Sequence, residues 1–366
     1  MRYFILLILI LSSGYSKAQE TDSLVWYDLG KMKIFGQPGG EVSNPFQRFP
    51  DTMQELVREK VWELSKNPAG LNLNFKTNAS RIVVSYEVSG DQGFPHMPPT
   101  GVSGVDLYMK EKAEEWKWVR GQFNFSDTIT YKFQINTGSR ESLIKDYMLY
   151  LPLYATVKWM KIGINKGSQL EVDLPDENEL PIIAYGTSIT QGACAGRPGT
   201  AWTARLSRMI HTPVLNFGFS GNGRLEKEVV QYIGRLKAKA FILDCLANFS
   251  SGQGLDAEEA EKRLIESIGL LRKSQPETPI IITDHAGYAH GEVNLLVRKI
   301  YMDLNEINQK VYDHLTQEGV PGLYLLKKKD LNLGVDDYID GVHPNDAGME
   351  KYSEAYYKKL MEISDL

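Results

Sequence analysis

The chain has 366 residues, with 41 Lys and Arg against 46 Asp and Glu, for a formal net charge of −5. That length favours two domains of roughly 100–200 residues each, and an acidic balance with no basic cluster argues against a nucleic-acid partner. Two cysteines are too few for a disulfide framework, so the fold must rest on apolar cores.

Residues 1–19 read as a signal peptide. Arg2 gives a short positive start, Phe4 to Leu11 are all apolar, and Ser16-Lys17-Ala18 supplies a small-x-small cleavage site. The apolar run falls short of the roughly 20 residues that a membrane-spanning helix needs, and no later segment is apolar enough to span. The expectation is an exported protein, secreted or periplasmic, without membrane insertion.

Over residues 24–175 the chain reads mainly as short strands with alternating side chains. Examples are 71–77, 81–89, 103–110, 128–135 and 156–164, separated by Gly, Pro, Asn and Asp clusters. This pattern predicts an antiparallel β-sandwich of jelly-roll type. A helical stretch, 52–67, interrupts it. Trp116 and Trp118 stand two residues apart on one strand face, suited either to the sandwich core or to stacking on sugar rings.

After the Pro- and acid-rich stretch 174–181 the period changes, and residues 181–366 alternate apolar strands with amphipathic helices. Strands are expected at 181–186, 213–219, 240–246, 279–285 and 322–328. Helices are expected at 200–210, 225–239, 256–274 and 292–315, with a last one from Asp346. Strands apolar on both faces and separated by helices predict a parallel sheet covered on both sides, a three-layer α/β/α domain of flavodoxin-like type.

Ligands of open parallel sheets sit beyond the carboxyl ends of the strands, and the residues there supply the parts of an acyl-transfer site. Ser188, at the end of the first strand, is a candidate nucleophile that needs a base. His343, after the fifth strand, is that base, and Asp340 three residues earlier can orient its imidazole. An oxyanion needs fixed N–H donors. Gly221 after the second strand, Asn248 after the third and the Ser188 backbone N–H can provide them. Thr190 follows Ser188 by two, where the nucleophile elbow of α/β-hydrolases has Gly.

The ordered blocks GTSITQG, NFGFSGNG, the Asn after DCLA, and DGVHP resemble the four signature blocks of the SGNH hydrolases, also called GDSL-type esterases and lipases. The resemblance covers 181 to about 360 and implies that Ser188 is the nucleophile. It also implies that Gly221 and Asn248 complete an oxyanion hole and that His343 with Asp340 forms the base. Thr187 replaces the usual Asp before the serine, and the third block lacks the usual Gly-x-Asn-Asp, which places the chain in a subfamily. Gly104-Val105-Asp106-Leu107-Tyr108 resembles the GxDLY motif of a domain that precedes certain bacterial SGNH esterase domains. The stretches His96 to Gly101 and Cys194 to Gly199 are similar to the same subgroup, which includes secreted acylhydrolases of polysaccharide-degrading bacteria.

Together these readings predict a secreted serine esterase acting on short acyl esters, O-acetyl foremost, of a glycan or polysaccharide. A lipid or thioester acylhydrolase and a glycan-binding protein with an inactive hydrolase half are the alternatives. No cofactor and no metal are expected. HExxH and CxxC are absent, and NFGFSGNG lacks both the P-loop Lys and GxGxxG spacing.

Further substrate contacts are expected from Arg197, His96 and His285. Pro98-Pro99 stiffens the loop whose tip is His96 and Met97, and such a loop can line a pocket between domains, opposite Arg197. His285 ends the fourth strand, where a substrate contact and a bond to a loop are both open. Cys194 and Cys245 flank neighbouring strands, so a disulfide in an oxidising compartment and two buried thiols are both compatible with the sequence.

Overall fold

The computed structural model describes residues 23–111, 115–138, 143–176, 178–249 and 255–363; the leader expected over 1–19 lies outside them. In chain order the first half holds β1 (Leu24–Asp28), α1 (Glu59–Ser65), β2 (Asn72–Thr77), β3 (Arg81–Ser89), α2 (Pro99–Val102), β4 (Asp106–Lys110), β5 (Lys117–Val119), β6 (Gly121–Asn124), β7 (Ile129–Gln134), β8 (Lys145–Tyr150), β9 (Thr156–Asn165) and β10 (Leu170–Val172).

These strands form two antiparallel sheets, β1-β9-β3-β7-β6 and β10-β2-β8-β4-β5. Alternation decides their faces. Ile82, Val84 and Tyr86 of β3 meet Leu73 and Phe75 of β2 and Tyr147 and Leu149 of β8 in one buried core. The opposite face of the second sheet is not solvated. Tyr108, Tyr150 and half-buried Trp116 cluster there with Ala204 of the second half.

The second half holds β11 (Ile182–Gly186), α3 (Ser188–Gln191), α4 (Trp202–Ile210), β12 (Val214–Gly218), α5 (Lys227–Gly234), β13 (Ala240–Asp244), α6 (Ala257–Ser274), β14 (Ile280–Thr283), α7 (Leu295–Gln317), β15 (Leu323–Leu326), α8 (Lys328–Leu331) and α9 (Asp346–Glu362). All five strands pair in parallel, in the flavodoxin-like order β12-β11-β13-β14-β15. Ile183 and Tyr185 of β11 face the α5–α6–α7 layer, while Ile182 and Ala184 face Trp202, Tyr352 and Tyr356 of α4 and α9. Both faces are dry, which is why the strands read as continuous apolar runs.

Two expectations are corrected. The helix expected over 52–67 is confined to α1, because Arg58 is extended at its start and reaches out to Asn222 and Glu226. Met53, Val61 and Trp62 from this stretch, with Phe49 just before it, pack with Leu215 and Phe217 of the parallel sheet rather than in the sandwich. Trp116 and Trp118 are not sandwich core either: Trp118 is 48% exposed, its indole N–H donating to Asp106 Oδ1 at 2.7 Å. Among the described residues no helix is long and apolar enough to cross a membrane.

Candidate active site

The carboxyl ends of β11, β12 and β13 and the loop before α9 build one site. Ser188 opens α3, where Thr187 caps the helix by accepting the Ile189 N–H at 3.3 Å. The serine is only 8% exposed. Its Oγ lies 2.9 Å from His343 Nε2. His343 Nδ1 lies 2.7 Å from Asp340 Oδ2, and Asp340 Oδ1 accepts the backbone N–H groups of His343 and Val342 at 2.8 and 3.0 Å.

Burial alone would raise Asp340, but these bonds from His343 and Val342 outweigh it and hold the carboxyl below its ordinary value. An ionised Asp340 keeps the ring proton on Nδ1 and leaves Nε2 free to accept from the Ser188 hydroxyl. The loop that carries the pair is anchored at its end by Asn345, whose side chain caps α9 through Ala347 and Gly348.

The three expected oxyanion donors lie on adjoining segments. The Ser188 N–H is at the first turn of α3, one of the helix donors with no partner inside the helix. Gly221 has φ +65° with nothing within 4 Å of where a Cβ would stand. The left-handed backbone, not space, therefore calls for glycine there. Asn248 donates one Nδ2 hydrogen to the Gly223 carbonyl at 3.0 Å, and among the described residues no acceptor is recorded for the second.

Several residues that the sequence did not single out hold this frame. Gln191 Oε1 accepts the Ser220 N–H at 2.9 Å, and the Tyr154 hydroxyl donates to the Ser188 carbonyl at 3.2 Å. Arg48, 1% exposed, has no carboxylate among its described hydrogen-bond partners. It donates to the carbonyls of Asn67, Leu64, Asn216 and Gly218 at 2.7–3.0 Å, and burial lowers its pKa to about 9. Its target Gly218 ends β12 directly before the Gly221 loop, and Arg58 grips Asn222 in the same loop. Gln191 was readable within GTSITQG; an arginine caged by carbonyls has no sequence signal.

Of the expected substrate contacts, His96 comes to the site, its ring stacked on His343 with centroids 5.9 Å apart. Phe94 stacks behind it and meets Tyr154 edge-on. Arg197 is spent elsewhere. It donates to Asp106 Oδ2 at 2.6 Å and to the Tyr108 hydroxyl at 3.0 Å, and it lies over the Trp118 ring. Gly199 donates to the same Asp106 oxygen at 3.1 Å, and a Cβ there would strike Tyr108 at 2.3 Å. The GxDLY segment is thus a clamp on the 194–200 loop.

His285 is 2% exposed, and its Nδ1 accepts the Gly287 N–H at 2.9 Å. Burial and then Lys328 lower it to about 3, a neutral ring packed between Tyr288 and Tyr301. The disulfide reading is corrected, since Cys194 and Cys245 are both free thiols. Cys194 packs with Met97 and Val102 and faces the His96 carbonyl at 3.4 Å. Cys245 is buried in the core beneath the opposite sheet face.

Residues 179–361 match the model of the GDSL-like lipase/acylhydrolase family, and residues 24–170 match the GxDLY domain, the N-terminus of SGNH-hydrolase-type esterases. The chain belongs to the GDSL-like lipase/acylhydrolase family. This GDSL-like hydrolase is similar to a GDSL-like lipase from Bacteroides ovatus at 29% identity and a TM-score of 0.84, covering 93% of this chain and 98% of that one. It shares its fold with the salicylyl-acyltransferase SsfX3 of a tetracycline biosynthetic pathway, at 18% identity and a TM-score of 0.73 over 94% of this chain and 98% of that one. The same holds for the acetyl xylan esterase Est2A of the rumen bacterium Butyrivibrio proteoclasticus, at 12% identity and a TM-score of 0.54 over 93% and 98%. Among curated protein sequences none matches.

Proposed function

We propose that this GDSL-like hydrolase is an exported serine esterase that removes short acyl groups, acetyl foremost, from a glycan. The observation that carries the chemistry is the unbroken relay from Asp340 through both ring nitrogens of His343 to Ser188 Oγ. As Oγ attacks the ester carbonyl, Nε2 takes the hydroxyl proton, and Asp340 steadies the imidazolium that results. The new oxyanion lies against the N–H groups of Ser188, Gly221 and Asn248, each worth about 3–4 kcal/mol in comparable sites. Collapse breaks the bond to the sugar oxygen, which leaves with the proton from Nε2. Water then repeats the cycle on the acyl-serine and returns the free enzyme.

Several features support a short acyl chain on a sugar. Ser188 is 8% exposed, and the nearby loops QGACAGRPG and GNGR are small and polar rather than long and apolar. An acetyl xylan esterase shares the fold, and the leader at 1–19 supports export to where polysaccharide is met. Turnover of 4-nitrophenyl acetate, butyrate and octanoate beside acetate release from acetylated xylan tests this reading. Acetate should be the preferred acyl group and the polysaccharide should lose acetate. Preference for octanoate, or for a thioester, would favour a lipid or thioester acylhydrolase.

A further inference from the structure

We propose that His96, Cys194, Asp340 and His343 form a binding site for a zinc-class divalent cation, and that its occupancy arrests the hydrolase. One donor atom from each lies within 4.8 Å of the others. They come from three separate segments: the loop before α2, the turn after α3 and the loop before α9. A tetrahedral zinc ion with nitrogen and sulfur at about 2.0–2.3 Å spaces its ligands about 3.3–3.7 Å apart, so side-chain adjustments of about 1 Å close this set.

The donor chemistry selects the cation. Two imidazoles, a thiol and one carboxylate suit zinc or cobalt, whereas calcium and magnesium require shells of oxygen. The inner wall is already built. Cys194 is 3% exposed and packed against Met97, Val102 and Ala193, and Phe94 backs His96. The outer side is open, with the side chains of Asp340 and His343 31% and 19% exposed, so a cation can enter from solvent. Binding releases the Sγ–H proton of Cys194 to solvent as the S–metal bond forms.

Either mode of binding to His343 breaks the relay. At Nδ1 the cation displaces the proton that Asp340 holds, and at Nε2 it displaces the Ser188 hydroxyl. The arrest rests on the reading of His343 as the base, whereas the binding does not. The test uses the full chain with cobalt as a spectroscopic probe and zinc as the inhibitor. One cobalt per chain should give a near-ultraviolet thiolate charge-transfer band in the wild type and equally in Ser188→Ala. Cys194→Ser and Cys194→Ala should abolish it.

Zinc should stop 4-nitrophenyl acetate turnover reversibly, with EDTA restoring it. Loss of the thiolate should raise the half-inhibiting zinc concentration by about tenfold or more. Absence of the band, or zinc inhibition unchanged in both Cys194 variants, would overturn the site. A band in the wild type with undiminished turnover would overturn the arrest, and it would locate the failure in the assignment of His343.

Discussion

Asp106 of the sandwich accepts from the Arg197 guanidinium at 2.6 Å, across the seam with the parallel-sheet half. The carboxylate is 3% exposed, and burial pushes it above its ordinary range against the pull of Arg197 and the Trp118 indole. Removing Arg197 would strand a buried charge, so Arg197→Leu should cost roughly 2–3 kcal/mol, the partial exposure of Arg197 discounted. Adding Asp106→Asn should recover part of that loss. Urea unfolding midpoints measure both, and a double variant no more stable than Arg197→Leu would contradict a true ion pair.

Substitutions along the relay should rank by how directly each residue meets the reacting atoms. Ser188→Ala should lower kcat by about 10⁶-fold and His343→Ala by a similar factor. Asp340→Asn, which leaves the ring in place but favours the wrong tautomer, should lose about 10⁴-fold. Steady-state kinetics on 4-nitrophenyl acetate reads all three, and an Asp340→Asn loss equal to that of His343→Ala would contradict a carboxylate that only supports the imidazole.

His96 joins the site from the sandwich half, so its contribution should depend on substrate size. His96→Ala removes one polar contact worth about 1–1.5 kcal/mol, roughly tenfold in kcat/KM, on an acetylated oligosaccharide. On 4-nitrophenyl acetate, too small to reach that wall, the loss should be much less. Equal losses on the two substrates would place His96 in the relay itself.

Asp244 ends β13 beside Gly186, with Oδ2 buried and without a partner in ordinary hydrogen-bond geometry. Burial pushes it up to about 7, against the weaker pull of Tyr356 and Thr190. Between about pH 4 and 7 the folded chain keeps a proton that the unfolded chain has released, so this carboxyl makes stability fall as pH rises through that window. Asp244→Asn cannot ionise and should remove that fall. Urea midpoints of the two proteins should diverge in the variant's favour from about pH 4 to about pH 8; parallel curves would contradict the shift.

The layered architecture was legible because burial imposes period. The two dry faces of the parallel sheet make 182–185 and 240–243 apolar on both sides, and the half-buried strand 81–89 alternates. Strands β5 and β6 are three and four residues long, too short to show a period. The residues of the relay were legible because each sits at a strand end or beside a helix cap, within a few positions of its partners in motif.

What was hidden depends on contacts between distant segments. Arg48 is separated from Gly218 by 170 positions, and nothing local marks it. Arg197 looked like a substrate residue because the residue that neutralises it, Asp106, lies 91 positions away. The two cysteines flank neighbouring strands, yet they face different packing layers, which strand order alone does not reveal.

Covalent labelling of the nucleophile tests the central claim most directly. A fluorophosphonate should react through attack of Ser188 Oγ on phosphorus with loss of fluoride. Mass spectrometry should then find one adduct per chain, on the peptide that contains Ser188, with no adduct on His343→Ala in the same time and none on Ser188→Ala. Esterase turnover by a chain that labels elsewhere, or that labels equally after Ser188→Ala, would contradict the assignment of Ser188 and His343.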